Sequence, residues 1–129
     1  MKRVISLLAV TAIVFGALLM SAPLRAEPVL AVTAVDTHGK TQEYLKRLDQ
    51  TIKIGKSLVP DGIWRVWVAS YSGASTGTVY VTVEYKSEVA LAKADAAMAA
   101  SKKFTASIAA LAEIGRTIES RAILNDVTP

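Results

Sequence analysis

The chain has 129 residues, no cysteine and a formal net charge of +4. That length holds one domain with a real core and is too short for two, and the lack of cysteine excludes disulfides, thiolate metal sites, a thiol nucleophile and a lipidated amino-terminal cysteine. The charge is concentrated at the amino terminus: without Lys2, Arg3 and Arg25 it falls to +1, and the remaining Lys and Arg form no basic stripe interleaved with aromatics, so no nucleic acid partner is expected.

The first segment reads as a targeting signal. Lys2 and Arg3 precede an apolar run from Val4 to Met20, followed by the small-residue exit Ser21 to Ala26. Basic, apolar and small residues in that order make a secretory signal peptide over residues 1–26, with cleavage expected after Ala26. The mature domain, residues 27–129, is then periplasmic or secreted. An uncleaved anchor is the competing reading, but the 17 residues from Val4 to Met20 are interrupted by Gly16 and fall short of a span of about 20 residues. No stable membrane insertion is expected once the signal is removed.

Val29 to Asp36 is short, apolar and rich in β-branched residues, which predicts a strand. Thr37, His38, Gly39 and Lys40 end it. Thr41 is a candidate N-cap for a helix in which Tyr44, Leu45, Leu48, Ile52, Gly55 and Leu58 recur at helical spacing. Pro60, Asp61 and Gly62 stop that helix and turn the chain.

Gly62 to Tyr85 predicts a β-hairpin. Side chains in a strand alternate between faces. One face then holds Trp64, Val66 and Val68 with Val79, Val81 and Val83, and the other holds Ile63, Arg65, Trp67, Ala69 and Tyr71 with Tyr80, Thr82 and Glu84. A symmetric loop from Ser72 to Gly77 would pair Val68 with Val81, Val66 with Val83, Trp67 with Thr82 and Arg65 with Glu84. The valine face calls for helices over it. The aromatic and charged face calls for a polar cavity, solvent or a partner subunit.

Ser87 opens a second, Ala-rich helix, EVALAKADAAMAAS, with a break or bend at Ser101 to Lys103. Phe104, Ile108, Leu111, Gly115 and Ile118 continue the helical pattern to about Glu119, and Arg121 to Val127 predicts a closing strand. Strand, helix, strand, strand, helix, strand is the split βαβ order of ferredoxin-like folds. The expectation is an α+β domain with a four-stranded antiparallel sheet and the helices on one face. The other face would expose Trp67, Tyr71 and Tyr80. Burying it against a second copy yields about 25 cal/mol per Å² of apolar area, less the costs of association, so a homodimer through the sheet face is expected.

This pattern resembles the dimeric α/β-barrel superfamily. The hairpin TGTVYVTVEY, the Ala-rich second helix and the run IGRTIES before the last strand are similar to exported members near the antibiotic-biosynthesis-monooxygenase-like and NIPSNAP-like groups, from Val29 to Val127. The resemblance implies a small pocket in each subunit, often between sheet and helices, used for cofactor-free oxygenation of aromatic compounds, for haem binding or degradation, or for ligand capture. Haem-degrading relatives place a histidine on the second helix, where this chain has Ala94, Asp95, Ala96, Ala97 and Met98. No haem or other cofactor is expected.

His38 is the one histidine, with Asp36 nearby; two ligands fall short of the three protein ligands of a catalytic metal site, so no metal is expected and an exposed loop histidine is the simpler reading. Arg65 and Glu84 could serve as an anion clamp and a general base, or as a cross-strand ion pair fixing the register. Trp64, Trp67, Tyr71 and Tyr80 could stack on a flat aromatic ligand, although large aromatics on a sheet usually belong to a core or interface. Trp64 alone faces the helices, which makes it the candidate pocket wall. The ligand-binding candidates are therefore Trp64, Arg65, Trp67, Tyr80, Glu84 and His38. Two functions are expected: an exported small-ligand-binding protein, or a cofactor-independent monooxygenase acting on a small aromatic or quinol-like compound.

Overall fold

The computed structural model describes residues 27–129. The signal peptide and cleavage site expected over residues 1–26 lie outside the described residues. The elements are β1 (Val29–Asp36), α1 (Thr41–Leu58), β2 (Ile63–Val68), β3 (Val79–Tyr85), α2 (Glu88–Ala100), α3 (Lys102–Glu113) and β4 (Thr117–Asn125). The strands form one sheet in the order β2-β3-β1-β4, with every neighbouring pair antiparallel. This is the ferredoxin-like α+β fold. No helix among the described residues is long and apolar enough to cross a membrane.

Alternation along the strands decides where the core lies. Val79 and Val83 of β3 are buried on the side that meets the helices, together with Val29 and Val35 of β1. Two apolar clusters form there. One joins Val35 and Val79 to Tyr44 and Leu48 of α1 and to Leu111 and Ile114 at the end of α3. The other joins Val29, Val83 and Tyr85 to Val59 and to Ala94 of α2, with Trp64 and Met98 packed against it. Val66 and Val68 face the same side, but β2 is an edge strand and they remain partly exposed.

The hairpin register differs from the expected one by two residues. Trp64 pairs with Val83, Val66 with Val81, Trp67 with Tyr80 and Val68 with Val79. Ala69 and Thr78 close the hairpin, the Ala69 N–H donating to the Thr78 carbonyl at 2.9 Å. The connection is asymmetric and contains a 3-10 turn, Gly73–Ser75, with Tyr71 (φ 58°) and Gly73 (φ 59°) in left-handed conformations. Tyr71 therefore leaves the sheet and is fully exposed. An even offset keeps every strand side chain on its expected face. It makes the Arg65–Glu84 contact diagonal, since Arg65 lies opposite Thr82 and Glu84 opposite Ile63.

The end of the chain is also corrected. Helix α3 stops at Glu113, and β4 starts at Thr117 rather than Arg121. Gly115 turns the chain at φ 92°, a conformation that favours glycine and terminates helices, so Ile118 belongs to the strand. Lys40 Nζ adds a hydrogen bond to the Ile114 carbonyl at 3.1 Å. Thr41 is the first residue of α1 and not its cap; its hydroxyl meets that of Thr37 at 2.8 Å.

Candidate functional site

A cavity of about 500 Å³ lies between the helix side of the sheet and the three helices. Ala31, Val81 and Val83 line it from the sheet, Leu48 from α1, Met98 from α2 and Phe104 from α3. Both apolar clusters contribute walls, which is why the core divides into two. The Ala-rich sequence of α2 explains the space: alanine favours the helix but projects too little volume to fill the gap above the sheet, and Ala94 is the one buried residue of that helix. A volume of this size matches small-ligand pockets, which run from about 300 to 1,000 Å³.

Trp64 forms one wall. Its ring lies directly against Gly55 of α1, where a β-carbon would meet Trp64 Cη2 at 2.5 Å. Only a glycine on that turn of the helix leaves room for the indole. The buried Trp64 Nε1–H has no hydrogen-bond partner among the described residues. An orphaned buried donor costs about 1–3 kcal/mol, tolerated here for the sake of the ring's packing.

Besides the hydroxyls of Thr33, Thr51 and Thr105, the polar lining is divided between the ends of the cavity. At one end stand Tyr85, opposite Val29 at the start of β1, and Asp95 of α2. Burial, reinforced by the Asp95 charge, pushes the Tyr85 phenol up to about 12, so it is a proton-bearing donor at neutral pH. At the other end Arg116 donates from Nη1 to the Tyr44 hydroxyl at 2.9 Å and lies 5.9 Å from the centre of that ring. Arg121 lines the cavity from β4 and is exposed at its rim. A β-bulge brings it there: the pairing with β1 shifts between Ala34 and Val35, leaving Glu119 as the extra residue, so that Ile118 opposite Val35 and Arg121 opposite Thr33 share the helix side.

The sequence candidates separate onto three regions. Trp64 reaches the cavity. Arg65, Trp67, Tyr80 and Glu84 lie on the opposite face of the sheet. There Arg65 Nη1 stands 3.5 Å from Glu84 Oε2, both side chains well exposed, and Trp67 Nε1–H donates to Thr82 Oγ1 at 3.0 Å. His38 occupies the turn after β1 at φ 50°. Its backbone N–H donates to Asp36 Oδ1 at 2.8 Å, and its Nε2 lies 2.8 Å from Thr117 Oγ1. No group of three His, Cys, Asp or Glu among the described residues could hold a metal ion. Tyr44, Tyr85, Asp95, Arg116 and Arg121 were not singled out by sequence reasoning. Tyr85 could have been found by extending the alternation of β3 one step, whereas Arg121 depends on a bulge that the pattern does not signal.

No protein-family model matches the sequence, and no curated protein matches it. Solved structures do. A NIPSNAP family protein from Agrobacterium tumefaciens superposes with a TM-score of 0.60 at 23% identity, over 78% of this chain and 88% of that one. SnoaB, a cofactor-independent oxygenase from Streptomyces nogalater, gives 0.59 at 14% identity, over 80% and 96%. A candidate antibiotic biosynthesis monooxygenase from Caulobacter crescentus gives 0.54 at 19% identity, over 79% and 92%. The fold is the one these NIPSNAP and monooxygenase-like structures share. At these identities the likeness concerns the fold alone and leaves the chemistry to the residues of the cavity.

Proposed function

We propose that the protein binds a small, largely apolar molecule in the cavity between sheet and helices. The observation that carries this reading is the cavity itself, about 500 Å³ with Trp64 as a wall and polar groups at its ends. Apolar walls with a few placed polar groups are the usual make-up of a ligand pocket. The two tryptophans provide the test, because Trp64 lines the cavity and Trp67 stands on the far side of the sheet. In a titration with 2-naphthol followed by NMR, the Trp64 indole N–H resonance, assigned with a Trp67→Phe variant, is expected to move and that of Trp67 to stay. Movement of Trp67 alone would place the ligand on the other face and end this reading.

A second reading is cofactor-independent oxygenation of an aromatic or quinol-like compound, in which the substrate itself supplies the electrons. It is favoured by the guanidinium groups of Arg116 and Arg121 on the lining, since nearby positive charge favours the deprotonated form of an enol or phenol. Oxygen uptake with 1,4-dihydroxynaphthalene, above the rate of its spontaneous oxidation and diminished by Arg121→Gln, is the expected result for an enzyme. The binding reading expects the spontaneous rate alone.

The same proposal includes export and pairing. The leader over residues 1–26 supports a periplasmic or secreted location. The open face of the sheet supports a homodimer: it exposes Ile63, Trp67 and Leu124 and carries both signs of charge in Arg65 and Glu84. Such a face is complementary to its own copy across a two-fold axis.

A further inference from the structure

The charges that line the cavity do not balance. Arg116 and Arg121 contribute two guanidinium groups, Asp95 one carboxylate. The hydrogen-bond partner of Arg116 is the neutral Tyr44 hydroxyl, and Arg121 makes no hydrogen bond or ion pair among the described residues. Ion pairs among those residues join His38 to Asp36, Lys53 to Asp49 and Arg65 to Glu84, so neither cavity arginine forms an ion pair with a carboxylate among the described residues.

Asp95 stands toward the other end of the cavity. It acts on Tyr85, which is level with Val29 at the start of β1, whereas Arg121 is level with Thr33 and Ile118 with Val35. At about 3.3 Å per residue, the strand separates the Tyr85 level from that of Arg121 by roughly 13 Å along the backbone. The cavity therefore has an acidic end and a basic end, and at the basic end a planar fork of donors lacks a charged acceptor.

We infer that the preferred ligand is an apolar or aromatic carboxylic acid, bound with its carboxylate at Arg121, Arg116 adding positive potential behind it, and its apolar body between Trp64 and Phe104. This rests on the reading of the cavity as a ligand site and specifies its chemistry. Guanidinium matches carboxylate in a bidentate way that no neutral isostere reproduces. Arg121 is exposed and unengaged, so replacing it leaves the core intact.

The experiment compares 2-naphthoate with its neutral isostere 2-naphthamide by calorimetry, with the Trp64 indole resonance reporting occupancy. The mature protein is expected to bind the acid at least tenfold more tightly than the amide at low salt. Arg121→Gln should remove that preference, lowering the affinity for the acid at least tenfold and that for the amide by less, and Arg116→Gln, once its melting curve shows a folded protein, should reduce it. Equal affinity for acid and amide with Trp64 responding would overturn the carboxylate assignment and leave the site standing. Failure of both compounds to move Trp64 would overturn the site and the assignment together. An acid preference that survives Arg121→Gln would also refute the role given to Arg121.

Discussion

Tyr85 shows how one buried residue carries both packing and proton chemistry. Its ring closes the second apolar cluster, while burial and the Asp95 charge hold its phenol near 12 against an ordinary value of 10.0. The folded state thus binds the phenolic proton more tightly than the unfolded chain. The resulting stabilisation is fully present below pH 10 and is lost as the pH rises from about 10 to 12. Of the four tyrosines, Tyr85 is expected to ionise late in an ultraviolet titration. Urea unfolding should show the wild type losing stability over that window more steeply than Tyr85→Phe; identical slopes would refute the assignment.

At the level of elements, Ser101 is the joint on which the helical layer depends. Its backbone N–H donates to the Met98 carbonyl at the end of α2, and its hydroxyl accepts the Phe104 N–H at 3.1 Å at the start of α3. One residue therefore ends one helix and caps the next, and the change of direction brings Phe104 to the cavity. Loss of an N-cap of this kind costs about 1 kcal/mol. Ser101→Ala is expected to lower the free energy of unfolding by about that amount in urea, with Ser101→Thr losing less because the hydroxyl is retained.

Across the whole molecule, the sheet separates two environments. The helix side holds the cavity, and the other side leaves Trp67 about half exposed at 54%. If two copies meet through that side, Trp67→Glu buries a charge without a partner, a change that costs several kcal/mol. Sedimentation should then show a dimer for the wild type and a monomer for Trp67→Glu, with the circular dichroism of the two alike. A wild-type monomer would remove the pairing from the proposed function while leaving the cavity unaffected.

The sequence by itself determined the order of elements and the two faces of the hairpin, because helical and strand periods are local properties and a two-residue offset in register does not exchange faces. It also marked Trp64 as the aromatic that meets the helices. Other features required distant parts of the chain to be placed together: the asymmetric loop that expels Tyr71, the Gly115 turn that ends α3 early, and the β4 bulge that directs Arg121 to the cavity. Likewise, the alanines of α2 signal a helix in sequence, but only its packing over the sheet shows the space they leave. Local pattern sets what each segment becomes; the volume between segments, and the charge that lines it, follow from how they pack.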